Sequence, residues 1–129
     1  MAVITINYTI DGYSASGDSN VTATTVTLTP ASITRITETV AIGADTAVNC
    51  AIDTSALSFL VIYASSDATL QANDGTSPDY TLTLTGGKPF VWYTGCGIAN
   101  PITADTTEFF VTNAAECKLV IHVGQDSTP

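Results

Sequence analysis

The stretch LSFLVIY, residues 57–63, is apolar on both faces of an extended chain. It is the length of a strand and short for a helix. A strand of this kind closes a core with one face and needs a second cover for the other. Its surroundings keep the same two-residue period. After a turn at Ser65, Ser66 and Asp67, residues 68–72 form a short strand, and Asn73, Asp74 and Gly75 are a strong turn signal. Tyr80, Leu82 and Leu84 then alternate with Thr81, Thr83 and Thr85, and Gly86 and Gly87 turn the chain into residues 89–93. Residues 107–112 (TEFFVT) and 117–123 (CKLVIHV) flank a turn at Asn113 to Glu116, and the polar residues 124–129 read as a flexible tail.

Toward the N-terminus the pattern continues with one weak link. Val48, Cys50 and Ile52 alternate with Asn49 and Ala51. In residues 33–42 the shared face is Ile36, Glu38, Val40 and Ile42, so Glu38 is misplaced unless that strand is short or lies at an edge. Val21 and Ala23 have the opposite parity to Val26 and Leu28, which predicts a bulge at Thr24 and Thr25. Ile4, Ile6, Tyr8 and Ile10 share a face opposite Thr5, Asn7 and Thr9. No helical period appears. About eight to ten short strands, with turn signals about every 8–12 residues, predict an all-β fold. The architecture expected is a two-sheet antiparallel sandwich, jelly-roll-like. An immunoglobulin-like sandwich fits less well, because it has fewer strands and a Cys–Trp–Cys pattern that this chain lacks.

The chain has 129 residues, the size of one domain spanning 1–129. Residues 1–10 are expected to form an N-terminal strand or arm that pairs with a neighbour's sheet edge. Three Lys plus Arg against 12 Asp plus Glu give a net charge of −9. So few cations cannot neutralise a run of phosphates, so no nucleic-acid partner and no anionic membrane surface is expected. Only 12% of residues are charged, 23 are threonine, and the mean hydropathy is +0.30. Threonine favours pleated sheet, and a weakly charged surface suits protein contact. The expectation is a homo-oligomer. The N-terminus lacks a basic segment followed by an apolar run, so folding in a cytosol is expected.

Constellations for chemistry are sparse. His122 is the only histidine, placed on a strand between Ile121 and Val123, and the chain has no G-x-S-x-G elbow. Asp105 and Glu108, or Asp74 and Asp79, are pairs of acids, but in loops or strand starts, where solvated side chains are the plain reading. The loop NDGTSPD, residues 73–79, is rich in oxygen yet lacks the alternating spacing and closing Glu of an EF-hand. A second oxygen-rich loop covers residues 11–20. Cys50, Cys96 and Cys117 are widely spaced without a CxxC, as expected of small apolar side chains in or near a core. Asn7-Tyr8-Thr9 and Asn20-Val21-Thr22 match the glycan-acceptor triplet by chance composition. No enzyme, metal or cofactor is expected.

The adjacent aromatics are more informative. Trp92 and Tyr93 are neighbours on one strand, as are Phe109 and Phe110, so one of each pair faces away from its partner. Half of each pair can fill a core. The other half needs an oligomer interface, a carbohydrate-stacking role or another cover. The candidate contact residues are Ile4, Ile6, Tyr8, Trp92, Tyr93, Phe109 and Phe110.

The run GGKPFVWYTGCGIANPITADTTEFFVTNAAECKLVIHV, residues 86–123, sets a strand with Trp92 before Gly95 and Gly97. Asn100 and Pro101 follow, then a Thr/Asp stretch, Phe109 and Phe110, Asn113 and a closing apolar strand. Over residues 55–123 this resembles small all-β structural proteins of tailed bacteriophages and, more loosely, their capsid decoration (cement) proteins. The resemblance implies a trimeric β-sandwich that sits on the outer capsid surface, clamps the major capsid protein, and assembles in the host cytoplasm. The acidic charge is better tolerated there than on a DNA-facing wall. A tail or fibre component is a second structural expectation. A carbohydrate-binding adhesin using exposed aromatics is a third, from another class.

Overall fold

A computed structural model describes residues 4–8, 24–28 and 30–126. Among the described residues there are ten strands and no helix. They are β1 (Ile4–Tyr8), β2 (Thr24–Leu28), β3 (Ser32–Val40), β4 (Gly43–Ile52) and β5 (Leu57–Ala64), then β6 (Ala68–Ala72), β7 (Thr81–Leu84), β8 (Phe90–Tyr93), β9 (Thr106–Asn113) and β10 (Cys117–Gln125). Eight of them make two antiparallel four-stranded sheets. The first has the order β3-β10-β5-β8 and the second β4-β9-β6-β7. β1 and β2 form a separate two-stranded ribbon. From β3 onward the chain changes sheet at every connection except β6 to β7, which is the strand order of a jelly roll. The expected sandwich is therefore the observed one.

The alternation read from sequence sets the core. On β10, Cys117, Leu119, Ile121 and Val123 point inward, while Lys118, Val120 and His122 face out. They meet Leu60 and Ile62 from β5 and, across the sandwich, Leu70, Phe109 and Val111. Each of these is fully or almost fully buried, and hiding such a side chain contributes about 1.5–3 kcal/mol. The Tyr80 and Phe109 rings meet edge to face, with centroids 6.2 Å apart and planes at 83°, a favoured aromatic geometry.

Glu38 is accounted for by position. β3 is the outer strand of its sheet, and Glu38, although paired with buried Leu119, is exposed. Two expectations need correction. The β1–β2 ladder runs from Ile4↔Leu28 to Tyr8↔Thr24 without a register shift, so Thr24 and Thr25 carry no bulge in the described part; residues 21–23 lie outside it. Register shifts occur instead in β4, between Gly43 and Thr46 and between Asn49 and Ile52, and at Gly124/Gln125. β10 also runs into the residues read as a tail, of which 127–129 lie outside the described part. Gly124 and Gln125 belong to β10, where Gly124 is buried between β3 and β5. The Gln125 amide accepts from the Asp53 N–H at 2.7 Å and donates to the Ala51 carbonyl at 3.1 Å. Polar side chains that bond to a neighbouring backbone extend a strand beyond its apolar pattern.

Candidate interaction surface

The jelly roll sorts its loops to two ends. Residues 41–42, 65–67, 85–89 and 114–116 gather at one end, tied by Gly86 N–H to Asp67 Oδ1 at 2.7 Å and Lys118 N–H to Ser65 Oγ at 2.8 Å. Residues 53–56, 73–80 and 94–105 gather at the other. There Asn73, at φ 65°, donates through Nδ2 to Asp79 Oδ2 at 2.7 Å and to the Asp105 carbonyl at 2.8 Å, and accepts the Thr107 N–H at 2.9 Å. This second end carries Asp53, Asp74, Asp79, Asp105 and Asp126 and no Lys or Arg.

These acids are largely engaged by their own turns. Asp53 Oδ1 accepts from the Ser55 hydroxyl and amide, which holds its carboxyl below the usual range. Asp74 Oδ1 accepts the Thr76 and Ser77 amides, with the same effect. Within the loop NDGTSPD, Asp74 thus turns an oxygen onto the loop's own backbone, while Asp79 is held by the Asn73 side chain. Among the described residues, no group of three His, Cys, Asp or Glu side chains converges as a metal site requires. A cleft of about 330 Å³ lies here, lined by Ala51, Ile52, Asp53, Asp105, Thr106, Thr107 and Gln125, with no aromatic wall. Beneath it, Tyr80 Oη lies 2.6 Å from Thr106 Oγ1, and the Cys50 thiol lies 3.7 Å from the Thr106 carbonyl. Burial, with a smaller contribution from Glu108, pushes the Cys50 thiol up to about 12. Burial also raises Tyr80 to about 12. Both groups stay protonated at neutral pH. His122 faces outward on β10 while Cys117 of the same strand faces inward, so strand geometry separates the histidine from that thiol.

The outer faces of the two sheets differ sharply. On the second sheet, register rows run Ala47–Phe110–Gln71–Thr81 and Thr112–Thr69–Thr83. That face is hydroxyl-rich, with Phe110 as its one large apolar group. On the first sheet the rows are Ile33–Gly124–Phe59–Tyr93, Arg35–His122–Val61–Val91, and Thr37–Val120–Tyr63. Ile33 is 41% and Val91 45% exposed, and Val61, Tyr63, Tyr93 and Val120 are half-buried. Arg35, Lys118 and His122 share this face, and no Asp or Glu does. A chain with three Lys plus Arg therefore places two of them on one apolar sheet face.

The candidate aromatics divide as adjacency requires, and two of them leave the contact set. Trp92 is a core residue, 8% exposed, and its Nε1 donates to the Ile98 carbonyl at 2.8 Å. Phe109 is 0% exposed. Both point between the sheets, so neither can meet a partner or stack on a sugar. Tyr93 lies on the outer face of the first sheet and Phe110 on that of the second, so no single surface presents both. Ile4, Ile6 and Tyr8 lie on β1, where the backbone register is described and the side chains are not; residues 9–23, with the loop at 11–20 and Asn20, fall outside the described residues. The outward residues not singled out beforehand are Phe59, Val61, Tyr63, Val91 and Val120. Their signal was in the chain: the first three belong to the doubly apolar stretch 57–63.

No protein-family model matches the chain, and neither a curated protein nor a solved structure shows a match to it.

Proposed function

We propose that this chain is a virion structural protein of a tailed bacteriophage, a decoration (cement) protein that binds the outer capsid surface as a homo-oligomer, with a trimer favoured. The observation carrying this reading is the apolar outer face of β3-β10-β5-β8, which also bears Arg35, Lys118 and His122 on β3 and β10. A solvated sheet face normally alternates to polar residues; this one keeps Val61, Tyr63, Val91 and Val120. A contiguous apolar face that carries Arg35 and Lys118 and no carboxylate fits a protein partner that supplies apolar contact and carboxylates. Jelly rolls recur in capsid proteins, and the resemblance over residues 55–123 points to the same setting. The mechanism is multivalent: each copy makes a modest contact, and oligomerisation converts these into tight attachment.

The jelly roll also occurs in lectins, but a carbohydrate reading loses its aromatic platform with Trp92 in the core. The test is made on particles. Those assembled without this protein should lose heat and osmotic resistance and regain both when it is added back, and cryo-electron microscopy should place it on the outer shell. Particles indifferent to its removal, or density confined to the tail, would overturn the decoration reading.

A further inference from the structure

β1 and β2 pair with each other and join neither sheet. A two-stranded ribbon alone in water is marginal and needs a layer to pack on. Its register sets Ile4, Ile6 and Tyr8 opposite Leu28, Val26 and Thr24. Opposed residues of a ladder share a face, so the ribbon has one largely apolar face and one of threonine and asparagine.

The sheet carries the complementary anomaly. Phe59 faces outward in its row with Gly124 and Tyr93, yet it is only 6% exposed and stands apart from the continuous core. Gly124 beside it is buried although it has no side chain. Ala56, whose carbonyl accepts the Asp126 N–H, is 8% exposed and also outside the core cluster, and Pro30 is fully buried. All four lie where β3 begins, since Ser32 pairs with Gln125. β2 ends at Leu28, only four residue steps before Ser32. At about 3.3–3.6 Å per residue that tether reaches roughly 14 Å at most.

We infer that the β1–β2 ribbon folds back onto the outer face of its own chain's first sheet, laying its apolar face over Phe59 and Tyr93 as a third layer. The short tether favours the ribbon of the same chain over that of a second copy. The ribbon takes the Phe59 row and leaves the rows of Val61, Val91, Val120 and Tyr63 for a partner. The inference is independent of the capsid reading, because a solitary subunit would show the same cover.

Hydroxyl-radical footprinting of the full chain tests it. Phe59 should be protected in the wild type, and Ile6→Asp with Val26→Asp should raise its labelling severalfold, while Thr5→Asp with Thr27→Asp leaves it unchanged. Trp92 fluorescence reports that the sandwich stays folded. Unchanged Phe59 labelling in a folded Ile6→Asp, Val26→Asp variant overturns the inference, as does wild-type protection that fades on dilution, which would assign the cover to a neighbour's ribbon. Should that variant unfold, the wild type decides: nuclear Overhauser contacts between the Phe59 ring and ribbon methyl groups are expected, and their absence overturns it.

Discussion

Trp92 Nε1 donates to the Ile98 carbonyl oxygen at 2.8 Å, so the single tryptophan both fills the core and pins the long β8–β9 loop. Trp92→Ala should cost about 3–5 kcal/mol, as large-to-small core changes do. Trp92→Phe keeps most of the packing and loses mainly the loop tie, about 1 kcal/mol. Urea midpoints at constant m-value measure both.

Asn73 joins three segments of the acidic end from a left-handed conformation that asparagine tolerates well. Asn73→Ala should cost about 2–3 kcal/mol, combining lost hydrogen bonds with backbone strain. Asn73→Gly relieves the strain and should recover roughly 1 kcal/mol of that. Equal losses in thermal unfolding would show that the backbone conformation contributes nothing.

Stability should fall on the alkaline side. Burial lifts Cys50 from 9.0 and Tyr80 from 10.0, each to about 12, so the folded chain holds protons that the unfolded chain has released. Their contribution is complete below about pH 9 and is lost as pH climbs toward 12. Asp53 and Asp74 act in the opposite sense: their depressed carboxyls contribute above the ordinary carboxylate range and lose that contribution as pH falls through it. Thermal melts against pH should show both limbs, and Cys50→Ala with Tyr80→Phe should flatten the alkaline one.

The three thiols should react in order. Cys96 sits half-buried in a loop between Gly95 and Gly97, Cys50 is held protonated, and Cys117 is fully buried. Iodoacetamide at pH 8 should modify Cys96 on the native protein and reach Cys50 and Cys117 only on unfolding, as read by peptide mass spectrometry.

Assembly should depend on one sheet face and not the other. Val61→Asp with Val120→Asp should abolish binding to particles that lack this protein while leaving Trp92 fluorescence unchanged. Phe110→Ser, on the hydroxyl-rich face, should leave that binding as it is. A wild type that sediments as one chain at micromolar concentration would remove the oligomer altogether.

Much of this architecture was legible in the chain because the strand period is local. Alternation in CKLVIHV placed Leu119 and Ile121 inside and His122 outside, and Glu38 marked an edge by its wrong parity. Adjacency showed that Trp92 and Tyr93 must part company, but not which would be buried; that depends on the sheet β8 joins and on its partner Leu60. The rows of the outer face could not be seen either. Val61, Val91 and His122 are far apart in sequence and become neighbours only through the order β10-β5-β8. Gln125 was misplaced in the tail because its role rests on backbone groups of β4 and the β4–β5 turn, which a hydropathy pattern does not contain.

The sheet-switching connectivity has a kinetic cost. Within the sandwich only β6 and β7 are consecutive strands that also lie side by side. Every other ladder waits for distant segments to meet, which places refolding in the slow regime of about milliseconds to seconds. During synthesis β3, β4 and β5 emerge with unsatisfied edges until β9 and β10 leave the ribosome. Thr34, Thr37 and Thr39 on β3 keep the first of these strands more soluble than valine or isoleucine would, while retaining the same preference for extended backbone.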